Sequence, residues 1–290
     1  MRPWLELIRL PAVFTAPADV LAGLALGGFV FTGAQDAGRV ALLVLASVSI
    51  YAAGMAANDL FDLDVDRVER PGRPLPSGRV KPAAAWRFVA ALQVLGVAAA
   101  VAGGGAFAGA ATAVTVLLTY LYNGLLKHGP LGPIAMGACR FGNAGIGLAA
   151  LGVVAPTTWA LPLGTLAYVA AVTGVSRHEA RGEVTGRLHL ALVALPVLSL
   201  FPLVLVALGT LPEPAGLVAA CAAPLWLARP VRRAWNGGPG PVRGAVMAGI
   251  FGIPLVNAAL CVGAGAHGLA ALIVGFALAG RMTGRRFYAT

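Results

Sequence analysis

The sequence predicts an all-α protein, a polytopic bundle of nine or ten transmembrane helices formed by residues 1–290 as a single domain. Three observations predict it. Hydrophobic residues make up 59% of the 290 residues and charged residues only 11%, too little polar surface to cover a water-soluble globule of that size. Apolar runs recur along the whole chain, separated by short polar links that leave no room for a separate soluble domain. The 39 glycines, with abundant alanine, suit close helix contacts in lipid, where small side chains let backbones approach.

Taken in order, the apolar segments fall at about 12–31, 40–58, 84–102, 105–123, 132–153, 159–176, 188–208, 214–228, 243–263 and 267–280. The first is long and lacks a small-residue cleavage site, so a span is expected there rather than a cleaved signal. The basic residues test the count. Arg2 and Arg9 precede the first segment, and Arg67, Arg70, Arg73, Arg79, Lys81 and Arg87 follow the second. Lys127 follows the fourth, and Arg177, Arg181 and Arg187 follow the sixth. Arg229, Arg232, Arg233 and Arg243 follow the eighth, and Arg281, Arg285 and Arg286 follow the last. With ten spans all of these share one side, and Arg39 lies on the other. The positive-inside rule then places the N-terminus in the cytoplasm of what is expected to be a bacterial cell membrane. Nine spans would require an irregular tail.

The net charge of +10 is thereby assigned to topology, and no nucleic acid is expected as a partner. Cys139, Cys221 and Cys261 sit in separate apolar runs without CxxC spacing, and His128, His178, His189 and His267 are scattered. This pattern argues against a disulfide framework and against a zinc site.

The stretch NDLFDLDVDRVERPGRPLPSG, starting at Asn58, holds four of the chain's six aspartates: Asp59, Asp62, Asp64 and Asp66. If the second helix continues through it, Asn58, Asp62 and Asp66 share a face at i, i+4 and i+8, with Asp59 close to Asp62. Like charges at that spacing destabilise a helix unless a cation compensates. Oxygen donors without His or Cys favour Mg²⁺, which commonly bridges carboxylates to substrate phosphates. The arginines of RPGRPLPSG, an expected ordered turn, serve either topology or phosphate binding. A second acidic group, Ser176, Glu179 and Glu183, recurs at i, i+3 and i+7 on the same side of the membrane, and the two clusters are expected to share one cavity.

Three further polar groups lie at or near membrane depth, where ionisable side chains are costly and tend to be functional. Arg140 and Asp19 either pair with each other or face substrate. Lys127 either snorkels or contacts phosphate.

These residues resemble the UbiA superfamily of intramembrane prenyltransferases. Its NDxxDxxxD signature is matched by Asn58, Asp59, Asp62 and Asp66, followed by RPLPSG; ELIRLPAVFTAPADVLAG and YNGLLKHGPLG extend the resemblance over most of the chain. The resemblance implies a helical bundle around a central cavity, and transfer of an isoprenoid from a prenyl diphosphate to an unidentified, often aromatic, acceptor in the membrane lipid. By matching position, Asn58, Asp59, Asp62 and Asp66 would hold Mg²⁺ and the diphosphate. Lys127, Arg73 and Arg140 would neutralise the leaving group, and Tyr122 would stabilise an allylic cation through its π face. The second motif departs from the family's aspartates, with Ser176, Glu179 and Glu183 in their places; by that position Glu179 and Glu183 would also hold metal and Ser176 would contact substrate, and SRHEARGEVTG is similar to the EboC-like branch. That departure keeps a second class open, a non-catalytic membrane carrier of a prenylated or phosphorylated lipid. A CDP-alcohol phosphotransferase is disfavoured because its DGxxAR opening is absent.

Overall fold

The computed structural model describes residues 1–179 and 182–287, with side chains as far as Gly284. The side chains of Arg181, Arg285 and Arg286 therefore lie outside the described residues. The architecture is a helical bundle. Two short helices, α1 (Arg2–Leu7) and α2 (Leu10–Val13), lead into α3 (Ala16–Leu26), then α4 (Ala34–Phe61), α5 (Leu63–Glu69) and α6 (Pro82–Leu121). A π-helical turn, Tyr122–Leu126, extends α6 before α7 (Gly132–Ala150), α8 (Pro156–Ala160) and α9 (Leu163–Ser176). The rest comprises α10 (Gly186–Leu198), α11 (Phe201–Ala207), α12 (Ala215–Ala220), α13 (Ala222–Ala234), α14 (Pro239–Gly263) and α15 (His267–Phe287). Helix thus covers each apolar segment read from the sequence.

By length and composition, six described stretches can cross a membrane: Ala34–Phe61, Pro82–Leu126, Pro156–Ser176, Gly186–Ala207, Pro239–Gly263 and His267–Gly284. The second, at 45 residues, would be roughly 70 Å long if straight, more than twice a bilayer's hydrocarbon core. It is not straight. Gly105 has φ 77°, a backbone conformation that costs glycine little, and the chain reverses there. Gln93 Nε2 donates to Tyr120 Oη at 3.1 Å, across 27 residues that a straight helix would separate by roughly 40 Å. The two arms of α6 are therefore an antiparallel hairpin. At its apex, Arg39 Nε donates to the Gly103 carbonyl at 3.3 Å, which fixes the start of α4 beside it.

Small residues set the packing. A Cβ on Gly23 of α3 would lie 2.0 Å from the Ala144 carbonyl oxygen, and one on Gly147 of α7 would lie 2.3 Å from that of Val20. The α3 and α7 backbones touch, as small residues allow in a lipid-embedded bundle. Large apolar side chains that remain exposed, among them Val94, Phe107, Leu190, Leu208 and Leu225, would be a liability in water and face lipid here. Near its end α15 returns to the basic end of the bundle, where Gly280 packs on Pro11 and Phe14.

Candidate functional site

The acidic stretch lies at the basic end. The helix does not continue smoothly through it: α4 ends at Phe61 and Asp62, with φ −89° and ψ 4°, is the hinge between α4 and α5. The i to i+4 bonds survive on either side, from the Asp62 amide to Asn58 and from the Asp66 amide to Asp62, but the turn redirects the side chains. Asp59 and Asp66 are buried, whereas Asp64 points into solvent beside Arg67.

Each inward carboxylate meets a cation. Arg73 Nη1 sits between Asp66 Oδ2 at 2.6 Å and Asp59 Oδ1 at 3.3 Å. Arg9 Nη2 reaches Asp59 at 3.1 Å, Arg70 Nη1 reaches Asp66 at 3.4 Å, and Lys127 pairs with Asp62. Arg9 is the one non-glycine residue with positive φ among the described residues, at 52°. For an L-residue that conformation costs about 1–2 kcal/mol; it makes the turn between α1 and α2. The RPGRPLPSG segment is an ordered turn as expected: Gly78 takes φ 74°, the Ser77 hydroxyl donates to the Arg73 carbonyl, and Leu75 and Val80 are buried.

Asn58 links this mouth to the interior, donating from Nδ2 to Asn123 Oδ1 at 2.8 Å. Tyr122 and Asn123 belong to the π-helical turn, whose Lys127 amide bonds back to the Tyr122 carbonyl. Such turns recur at functional sites. Here the turn sets Tyr122 and Asn123 against the cavity while Lys127 meets Asp62. The cavity lies between α4, the second arm of α6 and α7, with Tyr51, Met55, Tyr122, Met136 and Arg140 among its walls.

Beyond it lies a buried polar cluster. Asp19 accepts from Arg140 Nη1 at 2.8 Å, Asn143 Nδ2 at 3.0 Å and Asn257 Nδ2 at 2.9 Å. Arg140 Nη2 also donates to Thr15 Oγ1 at 2.8 Å, and its guanidinium lies over the Tyr51 ring, 4.8 Å from the centroid. Of the two roles left open for Arg140, the pair with Asp19 is the one present, and Arg140 also lines the cavity.

The second acidic group departs from expectation. α9 stops at Ser176, whose hydroxyl bonds the Thr173 carbonyl, so Glu179 and Glu183 do not extend a helical face. Gly182, at φ 63°, turns the chain against Gly238, where a Cβ would lie 2.3 Å from the Gly238 carbonyl carbon. Glu179 then lies 3.6 Å from exposed Arg243, and Glu183 is exposed. Among the described residues no three His, Cys, Asp or Glu side chains gather as a metal cage, within either acidic group or between the two. The connection between the regions is basic instead: Arg177 Nη2 donates to the carbonyls of Lys127 and Gly129. Sequence reasoning missed Arg177, Arg9 and Asn123 as site residues; an Asn one position after Tyr122 in an apolar helix was the available signal for the last.

The donor set fits a hard divalent cation. Asp59 and Asp66 already bracket a single cationic nitrogen, and their oxygens leave coordination places for water and phosphate.

The chain is 38% identical over 168 residues to a digeranylgeranylglyceryl phosphate synthase from Methanopyrus kandleri, covering 58% of this chain and 60% of that protein. It is 36% identical over 127 residues to a protein of the same name from Ignicoccus hospitalis, covering 44% and 40%. The chain thus matches no more than 60% of the length of these relatives. The fold is shared with a UbiA homologue from Aeropyrum pernix K1, at TM-score 0.67 and 22% identity over 87% of this chain and 97% of that one. A UbiA homologue from Archaeoglobus fulgidus, solved bound to GPP and Mg²⁺, matches at TM-score 0.61 and 19% identity, over 89% and 99%. The UbiA prenyltransferase family model matches residues 20–247, a range that contains both acidic groups, the hairpin and the cavity; the chain belongs to that family.

Proposed function

We propose that this protein transfers an isoprenoid group from a prenyl diphosphate to an acceptor within the membrane, with Mg²⁺ at the cytoplasmic mouth of the cavity. The observation that carries the proposal is the bridging of Asp59 and Asp66 by Arg73, beside Lys127 on Asp62, at the entrance to a sheltered apolar space. Asp59, Asp62 and Asp66, with Asn58 beside them, would hold the metal. Bound there, Mg²⁺ supplies Lewis-acid charge that eases departure of diphosphate. Arg73, Arg9 and Lys127 give up part of their hold on the carboxylates and take the phosphate oxygens, as charge-assisted donors do. The prenyl C1–O bond breaks, the diphosphate leaves with the bonding pair, and the acceptor supplies the new bond to C1 and releases a proton to the diphosphate. Tyr122, on the cavity wall, offers its ring face to the developing allylic cation, while the apolar walls keep water away. Ser176, Glu179 and Glu183 receive no ligand role in this reading. The name shared by the relatives favours a glycerophosphate-type lipid over an aromatic acceptor.

The test uses detergent-solubilised protein with geranyl diphosphate, Mg²⁺ and a glycerophosphate-type lipid as acceptor. Pyrophosphate release is expected, and Asp62→Ala should abolish it; full activity in that variant overturns the assignment. A carrier would bind the diphosphate without turnover. Lipid mass spectrometry of cells with and without the protein identifies the acceptor.

A further inference from the structure

Arg177 carries a positive charge that no carboxylate among the described residues answers. It stands at the C-terminal cap of α9, and its Nη2 donates to the carbonyls of Lys127, at 3.2 Å, and Gly129. Those oxygens follow the π-helical turn that carries Tyr122, so the guanidinium is fixed beside the residue whose ammonium pairs with Asp62. Its charge acts on the Tyr122 hydroxyl at the cavity wall, as does that of Asp62. Glu179, two residues on, pairs with Arg243 instead. The side chain of Arg177 is exposed, and its Nε and Nη1 have no partner among the described residues.

The cations in contact with the first motif are matched to the donor. Arg9, Arg70, Arg73 and Lys127 face Asp59, Asp62 and Asp66, four positive charges against three negative. With one Mg²⁺ bound the surplus rises from one to three, and an ionised prenyl diphosphate brings roughly three negative charges at neutral pH. An acceptor with its own phosphate adds about two more, for which that set has nothing left. In a glycerophosphate the reacting hydroxyl lies within one glycerol unit of the phosphate. Once the hydroxyl meets the prenyl C1, the phosphate must therefore also sit at the mouth, on the side where Arg177 stands.

We propose that Arg177 binds the phosphate of the acceptor, so that the second motif recognises the second substrate through its arginine and not through its acids. The inference rests on the prenyl-transfer reading and assigns a residue to the acceptor's headgroup. The two carbonyls hold the guanidinium in place before the lipid arrives. Nε and Nη1 then donate to phosphate oxygens, charge-assisted bonds that an uncharged glycerol ether does not form. Arg177 thereby selects a phosphorylated acceptor, while Arg9, Arg73 and Lys127 serve the leaving diphosphate.

The test uses the full chain in phosphatidylcholine nanodiscs, saturated with Mg²⁺ and geranyl S-thiolodiphosphate as an unreactive donor analogue. Titration calorimetry compares three probes: 1-O-octylglycerol 3-phosphate, 1-O-octylglycerol and inorganic phosphate. The wild type should bind the lipid phosphate at least ~10-fold more tightly than either of the others, the scale of one charge-assisted bond. Arg177→Gln should erase that preference and Arg177→Lys should keep part of it, whereas Arg243→Gln, at another exposed arginine of the same region, should leave it unchanged. Equal wild-type affinity for the lipid phosphate and octylglycerol, inorganic phosphate binding as tightly as the lipid, or equal loss in the Arg177→Gln and Arg243→Gln variants overturns the inference; the wild-type comparison needs no variant to fold. Binding of the donor analogue is measured first. A fall of ~10-fold or more in Arg177→Gln would place Arg177 on the donor and overturn the inference alone; if the wild type does not bind the analogue, the prenyl-transfer reading fails too.

Discussion

Replacing Asp19 by Leu should destabilise the bundle severely, and the structure gives the reason. Asp19 has no exposed surface and accepts from Arg140, Asn143 and Asn257, so it ties α3 to α7 and to α14. With the carboxylate gone, the Arg140 guanidinium stays buried with only Thr15 and the Tyr51 ring as recorded partners. Stranding one member of a buried ion pair costs about 3–5 kcal/mol. Arg140→Met should cost less, because Asp19 keeps its two amide donors. Asp19→Leu combined with Arg140→Met removes both charges together and should be milder than Asp19→Leu alone, since burying neither charge avoids both desolvation penalties. Unfolding by SDS in mixed micelles measures all three variants. A cost below about 1 kcal/mol for Asp19→Leu, or a double variant that costs the sum of the singles, refutes the reasoning.

Four further outcomes are expected. Gly147→Val should break the α3–α7 contact, since even a Cβ would meet the Val20 carbonyl oxygen at 2.3 Å, and gel filtration should show loss of the folded species; Gly38→Ala, with nothing within 4 Å, should be tolerated. Arg73→Gln should weaken geranyl diphosphate binding by ~10-fold or more while tightening Mg²⁺ binding, because it removes both a phosphate donor and a competing cation; titration calorimetry reads each arm. Lys127→Met should leave Asp62 without its partner and lower pyrophosphate release by ~100-fold or more. Glu179→Gln should change stability by less than about 1 kcal/mol, because its pair with Arg243 is exposed, and should leave pyrophosphate release intact; a large fall would restore a ligand role to Glu179.

Much of this arrangement is legible in the sequence because its causes are local. A run long enough to cross lipid without charge must be helical, and Asn58, Asp59 and Asp66 stand where such a run meets its basic end. The hinge at Asp62 is not legible, since the i to i+4 bonds persist and only one residue's torsions change. The bridge by Arg73 and the reach of Arg9 depend on loop geometry set by distant contacts, so their positive charge could be noticed but not placed. For Ser176, Glu179 and Glu183, helical spacing misleads. The informative residues were Gly182 and Thr185: the first takes a positive φ, and the second caps α10 by accepting from the Leu188 amide. A segment that must start a new helix at Thr185 cannot carry the old one to Glu183.

The reversal at Gly105 bears on how the chain enters the bilayer. No charged residue lies between Arg87 and Lys127, and the tip is only Gly103, Gly104 and Gly105. Each arm can therefore slide in alongside the other as one greasy unit, with no hydrated loop to drag across and both flanking charges, Arg87 and Lys127, at the same end of the hairpin. Adding a lysine at the tip would tax that step while touching no residue of the cavity.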